Sequence, residues 1–108
     1  MGDYSWGKGR WESIHSTAAW CDRIDNMELF EDWMDMTIKT LPCEMCSIHA
    51  GRYLKSNPID QASSCLMWSY KFHNFVNKHL NKDIFPWDEV YDRWVQGNVF
   101  VCDDCKVE

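Results

Sequence analysis

At 108 residues, 45% hydrophobic and 26% charged, the chain has the length and composition of one globular domain rather than two domains or a disordered tail. A net charge of -6 without a basic stripe argues against non-specific binding to nucleic acid or an anionic membrane. The longest apolar runs, such as Ala18 to Cys21, are far too short to span a bilayer, and Met1 to Arg10 does not read as a cleaved leader.

The periodicity is helical almost throughout. Trp11, Ile14, His15, Ala18 and Ala19 predict a first helix of about three turns. Phe30, Trp33, Met34, Thr37, Ile38 and Leu41 form a second stripe that stops at Pro42, a residue suited to the first turn of the next helix. That third helix carries Cys46, His49, Ala50, Tyr53 and Leu54 on one face. After a turn at Ser56-Asn57-Pro58, a long fourth helix runs from Ser63 to Leu80 with Leu66, Trp68, Phe72, His73, Val76 and Leu80 mostly inward. Pro86 opens a short fifth helix with apolar Trp87, Val90, Tyr91 and Trp94, and Gly97 is its expected C-cap. Only Val99-Phe100-Val101 reads as strand, and one such run makes no sheet. The expectation is an all-α helix bundle over residues 1–97, with a tail over 98–108. In an antiparallel bundle the end of the first helix meets the start of the fourth. Cys21 and Cys65 can then lie together, with buried free thiols as the commoner outcome.

The six cysteines are unevenly spread, with two CxxC pairs at Cys43/Cys46 and Cys102/Cys105. Pairs at that spacing point to redox chemistry or metal binding. The first pair falls at a helix N-terminus, where backbone N–H groups and the helix dipole stabilise a thiolate, with Glu44 opposing mildly. A thioredoxin reading lacks its preceding strand, and a c-type haem reading lacks a His after Cys46, where Ser47 stands. A zinc-stabilised interaction module using both pairs is the alternative, weakened by the long separation of the two pairs. In that reading His49 is an extra candidate ligand. His15 and His73 face inward at helical spacing. They read either as satisfied core histidines or, with Trp11, Trp68, Tyr70 and Trp94, as the wall of a site for a flat aromatic ligand.

Three elements then converge: Trp6-Gly-Lys-Gly-Arg-Trp11 running to His15, Leu41-Pro-Cys43-Glu-Met-Cys46 with His49, and His73-Asn74-Phe-Val-Asn77 with Lys78 and Lys82. With Asp92-Arg93-Trp94 they resemble, in order and spacing, the Erv/ALR family of FAD-linked sulfhydryl oxidases, over about Trp6 to Gly97. Small members encoded by large DNA viruses are similar in length. The resemblance implies a four-helix bundle with a short fifth helix, usually a homodimer, with FAD at one end. It implies that Gly7, Arg10, Trp11, His15, His49, Tyr70, His73, Asn74, Asn77, Lys78, Lys82, Arg93 and Trp94 bind the cofactor, and that no metal is needed. It also implies thiol-containing protein substrates, with electrons passing from Cys43 through Cys46 to FAD and on to dioxygen, which leaves as hydrogen peroxide. The compartment is left open between host cytoplasm or virion and a leaderless redox compartment such as the mitochondrial intermembrane space. The family's brace for the fifth helix lacks its first cysteine, which would fall near Trp87. Cys102 and Cys105 are therefore read either as a shuttle disulfide, with a reach of at most about 18 Å from Gly97, or as a local tail disulfide.

Overall fold

In the computed structural model of the chain, residues 7–97 are described. The second CxxC and the strand-like run at 99–101 therefore lie outside the described residues. Four helices form the body: α1 (Gly7–Arg23), α2 (Met27–Lys39), α3 (Glu44–Ser56) and α4 (Cys65–His79). A short α5 (Trp87–Val90) continues as a wider π-helical segment, Tyr91–Gln96. Among the described residues there is no strand, as expected, and no helix is long and apolar enough to cross a membrane.

The helices start where local chemistry supplies caps. Asn26 accepts the Leu29 N–H at α2, and Ser64 accepts the Met67 N–H at α4. Cys43 does the same at α3, its sulfur accepting the Cys46 N–H at 3.2 Å. The expectation that Pro42 sits in the first turn of α3 is corrected by one step, because the cap is Cys43 and Pro42 precedes it. Pro86 itself holds the N-cap position of α5, without a side-chain cap hydrogen bond. One turn of 3₁₀ helix, Ile59–Gln61, was not read from the sequence, and it buries Ile59.

α1 packs principally on α4 and α2, and α2 on α3. Ile14, Ala18, Phe30, Met34, Ile38, Ala50, Trp68 and Phe72 share one core. A second cluster of Ala19, Leu66, Val90 and Trp94 seats the fifth helix. Tyr91, grouped with Trp87, Val90 and Trp94 as an apolar position, is 40% exposed, because Val90 and Trp94 supply the buried side of this last segment. Gly97 ends it with extended backbone, and a Cβ there would run into the carbonyl oxygens of Arg93 and Asp92. That close approach, not a left-handed φ, is why glycine suits the position.

The end of α1 does meet the start of α4. The Asp22 carboxylate accepts the Cys65 N–H at 2.8 Å and the Leu66 N–H at 2.9 Å, a second cap on α4. Cys21 and Cys65 lie buried there as free thiols.

Candidate functional site

The opposite end of the bundle is hollow. A cavity of ≈660 Å³ opens between the start of α1, the end of α2, the start of α3 and the end of α4. That volume suits a large organic ligand. Met34, Ile38, Leu41, Ala50, Phe72, Phe75, Val76 and Leu80 make its lining largely apolar. Lys8 and Lys82 also line it, and neither is in an ion pair among the described residues.

The sequence-predicted residues divide into two groups. Gly7, Trp11, His15, Cys46, His49, His73, Asn77, Lys82 and Trp94 line the cavity. Cys43, Arg10, Tyr70, Asn74, Lys78 and Arg93 do not. Arg10 reaches the Thr40 carbonyl at 3.5 Å, and Tyr70 packs edge-on against Trp87. Lys78 is exposed on α4. Two of the others act at one remove. Asn74 clasps the backbone of Phe85, donating to its carbonyl at 3.0 Å and accepting its N–H at 2.7 Å, and Phe85 is a wall of the cavity. Arg93 pairs with Glu12, another wall residue, and lies over the Trp94 ring at 5.1 Å.

Sequence reasoning missed Lys8, Glu12, Phe75, His79 and Phe85 as wall residues, together with the wall's apolar residues that read as core, such as Ile14, Met34, Ile38, Phe72, Val76 and Leu80. Lys8 was the most findable, since it sits between Gly7 and Gly9 in the opening element.

Aromatic rings organise the wall. Trp11 stacks on His73 at 4.0 Å and 4°, and His73 lies 5.0 Å from His15. The Trp94 indole N–H donates to Ser16 at 3.0 Å and holds its ring 4.9 Å from His15. Burial lowers His15 to about 3, helped by His73. Burial and then the Lys82 cation lower His73 to about 4. Both rings are therefore neutral at physiological pH.

The cysteine pair straddles the cavity wall. Cys46 lines the cavity and Cys43 does not. Hydrogen bonds from the Cys46 thiol and backbone N–H hold Cys43 below the usual thiol range. Burial, and then the neighbouring Cys43, push Cys46 up to about 11. The reduced pair thus keeps its negative charge on the outer sulfur. Among the described residues no group of three or more His, Cys, Asp or Glu is placed to hold a metal.

This arrangement has known counterparts. The Erv1 / Alr family model matches residues 8–95. A FAD-linked sulfhydryl oxidase of African swine fever virus (isolate Pig/Kenya/KEN-50/1950) is 38% identical over 97 residues, covering 85% of this chain and 82% of the viral protein. The FAD-linked sulfhydryl oxidase ERV1 of Oryza sativa subsp. japonica is 33% identical over 97 residues, covering 82% of this chain and 48% of the plant protein. Among solved structures, the FAD binding domain of Erv1 from Saccharomyces cerevisiae superposes with a TM-score of 0.72 at 27% identity, covering 90% of this chain and 97% of that one. A helical fold, a CxxC at the wall of an aromatic cavity and a sequence match running through both lead to one assignment: the chain belongs to the Erv1/Alr family.

Proposed function

We propose that the chain is a FAD-linked thiol oxidase that forms disulfides in other proteins. The observation that carries this reading is the division of the CxxC pair, with one sulfur at the cavity wall and the other outside it.

The cavity fits the cofactor on its own chemistry. An apolar interior suits a flat ring system, the stacked Trp11 and His73 supply an aromatic wall, and Lys8 and Lys82, in no ion pair among the described residues, supply positive charge for a pyrophosphate. Trp11, His15, His49, His73, Asn77, Lys82 and Trp94 are the residues of the sequence-predicted set that would hold it there. When bound, FAD supplies the two-electron acceptor that side chains lack and passes the electrons to dioxygen, which leaves as hydrogen peroxide.

The chain's own part is thiol–disulfide exchange. Starting from a Cys43–Cys46 disulfide, a substrate thiolate attacks the outer sulfur, Cys43. A substrate–Cys43 disulfide forms, and Cys46 departs as a thiolate into the cavity wall. A second substrate thiolate then attacks the substrate sulfur of that mixed disulfide. This releases the oxidised substrate and a Cys43 thiolate, so two electrons have moved from substrate to the pair. While Cys43 is tied up in the mixed disulfide, its charge and its hydrogen bond no longer oppose ionisation of Cys46. Only burial then holds the Cys46 thiol above the ordinary range. Cys46 is therefore easiest to ionise in the state that needs it as a thiolate.

The visible spectrum of the purified protein tests the reading. It is expected to show a bound flavin that a dithiol bleaches without air and that air restores. A colourless protein that exchanges disulfides without consuming dioxygen would contradict it.

A further inference from the structure

One buried polar line in the bundle is not used by the cysteine chemistry. It runs from Leu66 through Ser69 and His15 to His73, crossing from α4 to α1 and back. Ser69 is wholly buried, and its hydroxyl lies 2.7 Å from the Leu66 carbonyl oxygen. Two oxygens at that separation, one of them a carbonyl, require a proton between them, so the single hydroxyl proton of Ser69 is committed to Leu66. The Ser69 oxygen also lies 2.9 Å from His15 Nδ1. Without another proton to give, it accepts there, and His15 carries its proton on Nδ1.

The rest of the line follows from the count of protons. A neutral imidazole has one N–H, so His15 Nε2 is a lone pair. His73 Nδ1 stands 2.8 Å from it and is the donor. The single proton of His73 is then also on Nδ1, which leaves its Nε2 as an acceptor without a hydrogen-bond partner among the described residues. Both rings are held between neighbours: Trp11 stacks on His73, Phe85 lies at 5.1 Å from it, and Trp94 borders His15. The neutral state that this scheme needs agrees with the lowering of both histidines by burial.

We propose that Ser69 is a positioning residue that fixes, through His15, the tautomer of His73, so that the cavity wall offers a hydrogen-bond acceptor at His73 Nε2 to a hydroxyl or N–H donor of the bound group. The identity of that group as a flavin rests on the function proposed above, whereas the proton order rests on the geometry of the line. In Ser69→Ala the His15 Nδ1–H loses its acceptor while buried, which favours the other tautomer. His15 then donates from Nε2 to His73 Nδ1, and His73 Nε2 becomes an N–H. The wall has switched from acceptor to donor at one atom, with no change in shape.

The experiment is two-bond ¹H–¹⁵N correlation on the as-isolated protein with ¹⁵N-labelled histidine, in the wild type, Ser69→Ala and Ser69→Thr. The expected result is unprotonated Nε2 on both His15 and His73 in the wild type, and protonated Nε2 on both in Ser69→Ala. Ser69→Thr keeps the hydroxyl and is expected to restore the wild-type pattern. FAD affinity should fall roughly ten- to a hundredfold in Ser69→Ala, as for loss of one good hydrogen bond and its replacement by a facing donor, and recover in Ser69→Thr. A proton on His73 Nε2 in the wild type, or an unchanged His73 tautomer in a folded Ser69→Ala protein, would overturn the proposal. A colourless wild type with the expected tautomers would instead overturn the flavin as the facing group and leave the proton order standing.

Discussion

At one end of the bundle Cys21 and Cys65 lie buried where α1 meets α4, and at the other Cys43 and Cys46 open α3 beside the cavity. Burial and the Asp22 carboxylate raise both thiols of the first pair, Cys65 to about 12. In the second pair the outer thiol is lowered by the hydrogen bond from the Cys46 thiol and then by the Cys46 backbone N–H that it caps, and the inner one keeps the proton. The same side chain is thus a small hydrophobe at one end and, on the proposed function, a nucleophile with a partner at the other. Proximity of two cysteines does not decide their chemistry. Hydrogen bonds aimed at a sulfur, from a partner thiol and from backbone N–H, and access to it, do.

The largest expected effect breaks the comparison outright. Cys43→Ser and Cys46→Ser should each reduce peroxide production from a dithiol to background, whereas Cys21→Ala and Cys65→Ala should leave it near wild type. The latter two are expected to cost about 1–2 kcal/mol of stability each, by chemical denaturation, for the small voids they leave. Loss of turnover in a folded Cys65→Ala protein would show that the buried pair is not inert.

Acid should weaken the cavity end. His15 and His73 have folded-state values lowered to about 3 and about 4, below the ordinary 6.5. As pH falls below about 6.5 the unfolded chain takes up protons that the folded one refuses, so stability falls. The slope expected from each histidine is at most about 1.4 kcal/mol per pH unit, and solvent screening at half-buried His73 narrows the range over which it acts. The loss runs down to about pH 4 for His73 and about pH 3 for His15 and then levels off. Denaturant titrations across that range check it. His15→Phe should flatten much of the slope.

Asp22 sharpens the comparison at the closed end. Asp22→Ala removes an acceptor from the Cys65 and Leu66 N–H groups, and about 0.5–2 kcal/mol should be lost, by analogy with other helix caps. The flavin spectrum should not change, since the cavity lies at the other end.

How far the sequence reached differs between these regions for a physical reason. Hydrophobic period reports which side chains avoid water, so it found the four long helices, and antiparallel packing then set the end of α1, with Cys21, against the start of α4, with Cys65. It cannot say whether an inward side chain meets another side chain or an empty volume. Val76 and Leu80 read as inward and line the cavity, and His49, on the same helix face as Cys46 and Ala50, is exposed at its wall. Tyr70, placed at the ligand wall by helical pattern and by resemblance, packs on Trp87, and Arg93, assigned to the cofactor through resemblance, pairs with Glu12. The cap role of Cys43 was hidden because sulfur is not a usual cap, and the π-helical turn at Tyr91–Gln96 leaves no mark in a 3.6-residue pattern. Ser69 was passed over as a small residue between larger ones, although its hydroxyl orders the two histidines.

The most direct measurement of the central claim is the long-wavelength absorbance of the Cys43→Ser and Cys46→Ser proteins, each with flavin bound. The proposed function puts Cys46, the cysteine at the cavity wall, next to the flavin, so Cys43→Ser should show a thiolate–flavin charge-transfer band that grows as pH rises, and Cys46→Ser should show none. A band in Cys46→Ser and none in Cys43→Ser would contradict the account, because Cys43 would then be the sulfur at the flavin.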